Sequence, residues 1–299
     1  MITEPGIYPD MPMSEYLSDP CPDPSLSSGT AHALLTDCPA KVAYCNTRLN
    51  PDYREPCEDK FDIGTAAHAL LLEGLDAAVV VDAADWRTKV ARDAKVQARL
   101  DGKVPLLPHE YAKVRLMVAA ANRYLGDSEL NIRNLKDEGR PELSLFWKKS
   151  GIWLRSRPDW LANGLDVMLS YKTTRVTANP EQIGRMVDSM GWDIAAALYV
   201  DGSEELLFKR PAYVYLIQEV SPPYLCSSVS LTPQYLEMGK QKLDRAIDIW
   251  RECLSSGNWP SYPQRIAYVE PKPYVISAWE EKRFDAQLKE QGDDPTENW

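Results

Sequence analysis

No two cysteines in this chain stand in a C-x-x-C pair, which argues against a zinc ribbon or zinc finger. The six cysteines, Cys21, Cys38, Cys45, Cys57, Cys226 and Cys253, fall four early and two late. That distribution does not suit a cluster held by one early and three late thiolates, and free thiols in a reducing cytosol are the expectation. No apolar run approaches the roughly 20 residues that a membrane helix needs. The opening Met1-Ile2-Thr3-Glu4-Pro5 lacks a basic stretch followed by an apolar one, so no secretion signal is expected and the cytoplasm is the predicted location. Excess positive charge is missing too: the formal net charge is −10. Proteins that coat nucleic acid non-specifically are usually basic, because affinity comes from neutralising phosphates. An acidic chain can still act on DNA if its positive charge is local and a divalent cation supplies the rest, but the acidity equally fits a protein that binds none. The 299 residues are enough for a sizeable core.

Residues 1–28 are rich in Pro, Ser and Asp and read as an extended lead-in with turns. A helix is expected after Ser27 or Ser28, either of which can cap it. Residues 47–60 read as a polar loop, 62–74 as a second helix, 85–103 as an exposed charged helix, and Pro108 to Leu125 as a longer one with Pro in its first turn. The period then changes to two over 142–148, 152–157 and 165–172, predicting three consecutive strands with a hairpin turn at Lys148-Lys149-Ser150-Gly151. A helix over 180–199, strands over 211–219 and 224–231, and an amphipathic helix over 233–255 follow. From Gly257 the chain is Pro- and Trp-rich, then acidic over 280–299. With no repeats and no linker, the pattern predicts one domain over 1–299, an α/β (α+β) fold with a mixed, mostly antiparallel sheet flanked by helices.

One stretch carries a chemical pattern: Arg157-Pro158-Asp159, then a strand ending Ser170-Tyr171-Lys172-Thr173-Thr174. Metal-dependent phosphodiester hydrolysis needs carboxylates to hold divalent cations and a positive group near the attacking water. A hairpin can deliver both, with one acid ending its first strand. A second acid and a Lys two residues apart then share one face of the next strand. Asp159, position 170 and Lys172 fit that layout.

Other pieces fall in order around it. They are Gly6-Ile7-Tyr8 with Tyr16, Ser25-Leu26-Ser27-Ser28 with Leu34-Leu35 and Cys38-Pro39-Ala40, and Gly64-Thr65-Ala66-Ala67-His68-Ala69-Leu70-Leu71-Leu72-Glu73. Tyr199 with Asp201-Gly202, and Trp259-Pro260, complete the series. Together they resemble the PD-(D/E)XK nuclease superfamily, and within it the RecE-like (exonuclease VIII) type of phage and prophage recombination. The resemblance implies a PD-(D/E)XK core and a Mg²⁺- or Mn²⁺-dependent exodeoxyribonuclease that digests linear double-stranded DNA from its 5′ ends. It also implies a homo-oligomeric ring around DNA, a single-strand annealing protein (RecT/Bet type) as partner, and a bacterial host cytoplasm. His68 and Asp159 become metal ligands with position 170 and the backbone carbonyl of Tyr171, Lys172 assists the attacking water, and Glu142 is outer-sphere. Tyr199 belongs to the site, and Arg157, Thr173 and Arg175 are expected to face DNA. Ser27 and Ser28 are helix caps or, alternatively, hold a DNA 5′-phosphate.

Two positions depart from the family pattern. Ser170 stands where an Asp or Glu is expected, and Ala195 where a Gln is expected four residues before Tyr199, on the same helix face. Asp166 cannot replace the acid, because four strand residues separate it from position 170 by about 13 Å. The reading predicts weakened metal binding and slowed or absent hydrolysis, with Ser170→Asp and Ala195→Gln as restoring changes. The departures are either engineered or natural. The alternatives to an enzyme are a catalytically dead nuclease-fold protein binding DNA ends or a protein partner, and a restriction- or repair-type endonuclease on the same core. A lone helix histidine is more often structural than a ligand. His32 and His109 are read as surface residues, and the aromatic and methionine stripes as core.

Overall fold

A computed structural model describes residues 1–54, 62–74 and 77–292, so Cys57 and part of the expected loop over 47–60 lie outside the described residues. The chain divides into two compact units, Met1–Ser261 and Tyr262–Trp299. In the second, where sequence shows only a Pro- and Trp-rich and then acidic stretch, Pro273–Gly292 is a helix with exposed Tyr274, Trp279 and Phe284. Among the described residues no helix is long and apolar enough to cross a membrane. The five described cysteines are free.

Among the described residues the first unit is organised by ten strands: β1 (Gly6–Tyr8), β2 (Ala78–Val80), β3 (Val104–Leu106), β4 (Gly139–Pro141), β5 (Ser144–Lys149), β6 (Ile152–Ser156), β7 (Trp160–Ala162), β8 (Val167–Thr174), β9 (Ala212–Glu219) and β10 (Cys226–Ser230). They form a three-stranded sheet ordered β1-β5-β6, a five-stranded sheet ordered β10-β9-β8-β7-β4, and a pair β2-β3. Within the five-stranded sheet only β8 and β9 run parallel. The architecture is a mixed, mostly antiparallel sheet flanked by helices, as the sequence pattern predicts.

The three consecutive strands need correction. β5 and β6 form the expected hairpin, with Lys149 paired to Ile152. The strand paired to β8 is the short β7, in register Trp160 with Leu169 and Leu161 with Met168. The chain therefore leaves one sheet and enters the other twice, at Glu142-Leu143 and again at Arg157-Pro158-Asp159. Period-2 alternation on both sides of a crossing looks like one sheet, so the switch leaves no mark in the hydrophobic pattern. The lead-in is more structured than extended: Gly6–Tyr8 pairs with β5, and Ile2, Met11, Tyr16 and Cys21 bury themselves around Phe146 and Trp153.

The two faces of the five-stranded sheet bury different cores. One collects Leu161, Met168, Tyr213, Tyr215 and Ile217 with Trp147, Trp192, Leu198 and Trp250. The other collects Trp160, Leu169, Tyr171, Val214 and Leu216 with Ala66, Leu72, Met117 and Leu125. Helices cover both faces. Ser27 caps Ser28–Thr36 by accepting from the Thr30 N–H. Pro108–Asp127 starts with its proline, and Pro233–Ser256 is capped by Thr232. The single helix expected over 180–199 is broken into Gly184–Ser189 and Trp192–Leu207. The break is at Gly191, whose φ of +64° and whose close approach to the His32 ring favour glycine.

Pieces of the sequence far apart meet here. Asp201 accepts from the indole N–H of Trp147 at 2.9 Å and from Lys149 at 2.6 Å, while a Cβ on Gly202 would lie 2.7 Å from the Trp147 ring. Trp259 packs edge-on against Trp250, and the Pro260 carbonyl accepts from Ala40.

Candidate active site at the crossing between two sheets

Both acids singled out by sequence lie where the chain crosses between sheets. The Glu142 N–H donates to the Asp159 carbonyl at 3.3 Å, which ties the two crossings together. Glu142 has a φ of +54°, an unusual conformation for a non-glycine residue. Its side chain is buried and salt-bridged at 2.6 Å by Arg157, which also donates to the Met11 carbonyl at 2.8 Å and to Ser144 at 2.6 Å. The expectation that Arg157 faces DNA is thereby corrected: it is a buried clamp that fixes the Glu142 crossing.

Asp159 precedes β7, one step beyond its ladder with β8, and so lies opposite Ser170. Its Oδ2 accepts from the Tyr171 N–H at 2.6 Å and from the Ser170 hydroxyl at 3.1 Å, and the Lys172 ammonium is 3.7 Å away. His68 stands between the acids, with Nε2 3.5 Å from Asp159 and Nδ1 3.7 Å from Glu142. Burial disfavours charge on Asp159, yet Lys172, His68 and the Tyr171 N–H outweigh it and lower its pKa to about 2. Burial likewise opposes protonation of His68, but Asp159 and Glu142 prevail and its pKa is raised. For Glu142 burial wins over Arg157 and His68, and the pKa goes up.

The helix carrying His68 approaches β8 closely because Gly64 has no side chain: a Cβ there would lie 2.7 Å from the Thr173 hydroxyl. After His68 the helix widens into a π turn, Ala69–Glu73. Five residues in a regular α-helix advance about 500°, which would leave position 73 some 140° from position 68. A π turn closes over five residues and returns Glu73 towards the His68 face. His68, Glu73 and Glu142 each offer a ligand atom, all within 4.8 Å of one another. Sequence reasoning missed Glu73, since α-helical periodicity places it off the site. It also missed Lys113, which lines the same cavity.

That cavity, of about 870 Å³, is lined among others by His68, Glu73, Lys113, Glu142, Tyr171, Lys172, Thr173 and Arg175. Imidazole and carboxylate donors suit Mn²⁺ or Mg²⁺, so the residues present fit a divalent cation. The remaining expected site residues lie elsewhere. Tyr199 is set against Tyr213, ring centroids 5.5 Å apart, on the opposite side of the sheet from the His68 helix. Burial raises its phenol pKa well above the ordinary value, and its hydroxyl meets Ser28. Ala195 lies one turn before Tyr199. The Ser27 hydroxyl is engaged in capping.

No protein-family model matches the chain, and no curated protein does. Among solved structures, the chain is similar to a candidate exonuclease from Eubacterium rectale, at a TM-score of 0.55 and 12% identity over 89% of this chain and 96% of that one. At that identity the likeness establishes a shared fold, the mixed α/β architecture described above. A second solved structure aligns at a TM-score of 0.31 and 10% identity, too distant to carry weight.

Proposed function

We propose that this chain is a divalent-metal-dependent exodeoxyribonuclease of the RecE-like type, acting on the ends of linear double-stranded DNA. The observation that carries the reading is the convergence of His68, Glu142, Asp159 and Lys172 where the chain's two crossings between sheets meet. A bound Mg²⁺ or Mn²⁺ would supply Lewis-acid charge at the phosphate and a more acidic water. The residues supply the rest. Asp159 stays ionised, Lys172 places a fixed positive charge beside it for the attacking water and the developing negative charge, and His68 and Glu142 complete the donor set. Lys113, Lys172 and Arg175 set positive charge along a cavity that is otherwise acidic, which suits a phosphate backbone despite the net charge of −10. A homo-oligomeric ring, a single-strand annealing protein as partner and a phage- or prophage-infected host cytoplasm accompany this reading.

Ser170 favours a second reading, a protein that holds DNA ends without cutting them. Incubating the chain with linear and covalently closed duplex DNA, in Mn²⁺ and in EDTA, separates the two. Loss of linear DNA alone, and only with metal, supports the nuclease. Metal-dependent end binding with the DNA left intact supports the second reading.

A further inference from the structure

We infer that Glu73 supplies the carboxylate that position 170 lacks, so that the anionic ligand set is completed from the helix instead of the strand. The inference rests on the metal-dependent reading above and names a ligand beyond it. Ser170 is buried, donates to Asp159, and meets Tyr213 on the tyrosine-lined side of β8. Ser170 does not line the 870 Å³ cavity, whereas His68, Glu73 and Glu142 do, and Asp159 stands just behind that lining, 3.5 Å from His68 and 3.7 Å from Lys172. Glu73 and Glu142 also line a neighbouring cavity of about 640 Å³, so the two carboxylates stand together on the wall between the cavities.

The charges point the same way. Glu142 is neutralised by Arg157, and Asp159 is matched by Lys172 and His68. Among the described residues Glu73 makes no side-chain hydrogen bond or ion pair, so it carries the site's unmatched negative charge. Donors on opposite sides of a Mg²⁺ ion lie about 4.2 Å apart, given bonds of roughly 2.1 Å. Only one pair of three donors can be opposite and the others stand about 3 Å apart, so the His68, Glu73 and Glu142 atoms, all within 4.8 Å of one another, reach a common ion once the side chains close in on it. The π turn is the device that makes this possible. In a regular α-helix Glu73 would stand some 140° from His68.

The test is Mn²⁺ binding, read by the loss of the free-ion electron paramagnetic resonance signal on titration of the full chain, with no DNA and no turnover. Wild type, Glu73→Gln, Glu73→Asp and Asp159→Asn are compared, each checked for an unchanged melting curve in EDTA. The expected result is Mn²⁺ binding by wild type, weakened at least roughly tenfold by Glu73→Gln and partly retained by Glu73→Asp. Unaltered affinity in Glu73→Gln alongside loss in Asp159→Asn overturns the inference and leaves the metal-dependent reading standing. Failure of wild type to bind Mn²⁺ overturns both.

Discussion

The two faces of the five-stranded sheet meet at Asp159 but are built for different ends. On one, Ser170 sits beside Tyr213, which contacts Tyr199 and Tyr215, and burial drives all three phenols to raised pKa values. That face is closed around aromatic rings. On the other, the His68 helix lies over Tyr171 and Thr173 and leaves a cavity lined by charged groups. The difference teaches that a motif read along β8 identifies the strand but not which of its faces carries the cavity. Position 170 lies on the tyrosine side of β8, with its hydroxyl on the same Asp159 oxygen that His68 and Lys172 approach from the open face.

The comparison can be tested from its largest effect on folding to its smallest. Arg157→Ala strands Glu142 in a buried position, and breaking such a pair destabilises by about 3–5 kcal/mol. Urea denaturation measures it, and a change under 1 kcal/mol contradicts the clamp. Gly64→Ala pushes a methyl into Thr173 and costs about 1–3 kcal/mol as overpacking. Thr173→Ala should recover part of it, and strictly additive losses in the double variant would deny the contact. Ser170→Asp sets a second carboxylate beside Asp159 on the closed face, at a cost of about 1–3 kcal/mol for an unsatisfied buried group. Melting with and without Mn²⁺ decides its role: the deficit persists in Mn²⁺ if Glu73 is the ligand, and disappears if position 170 reaches the metal. Lys172→Met changes folding by less than about 1 kcal/mol, because its ammonium is partly exposed, yet lowers DNA hydrolysis by about 100-fold or more.

Much of this was legible in sequence, for physical reasons. Helix starts at Ser27 and Pro108, the turn after Lys149, and the strands at 211–219 and 224–231 follow from capping chemistry and period-2 alternation, which are local. So does the grouping of His68, Glu142, Asp159 and Lys172, because the ordered motif pieces resemble one nuclease type. What was not legible depends on non-local geometry. The double crossing between sheets is hidden because residues 142–172 alternate alike in either sheet. Glu73 is hidden because a π turn breaks the helical period on which the reading depends. Arg157 was taken for a DNA contact because the motif gives its position but not its partners, Glu142, Met11 and Ser144. The helix at Pro273–Gly292 has little amphipathic pattern to announce it.

The most direct test of the account is release of acid-soluble nucleotides from linear duplex DNA in Mn²⁺, comparing wild type with Asp159→Asn. The account predicts steady release by wild type and about 100-fold less by Asp159→Asn. No release by wild type, or equal release by both, would contradict it.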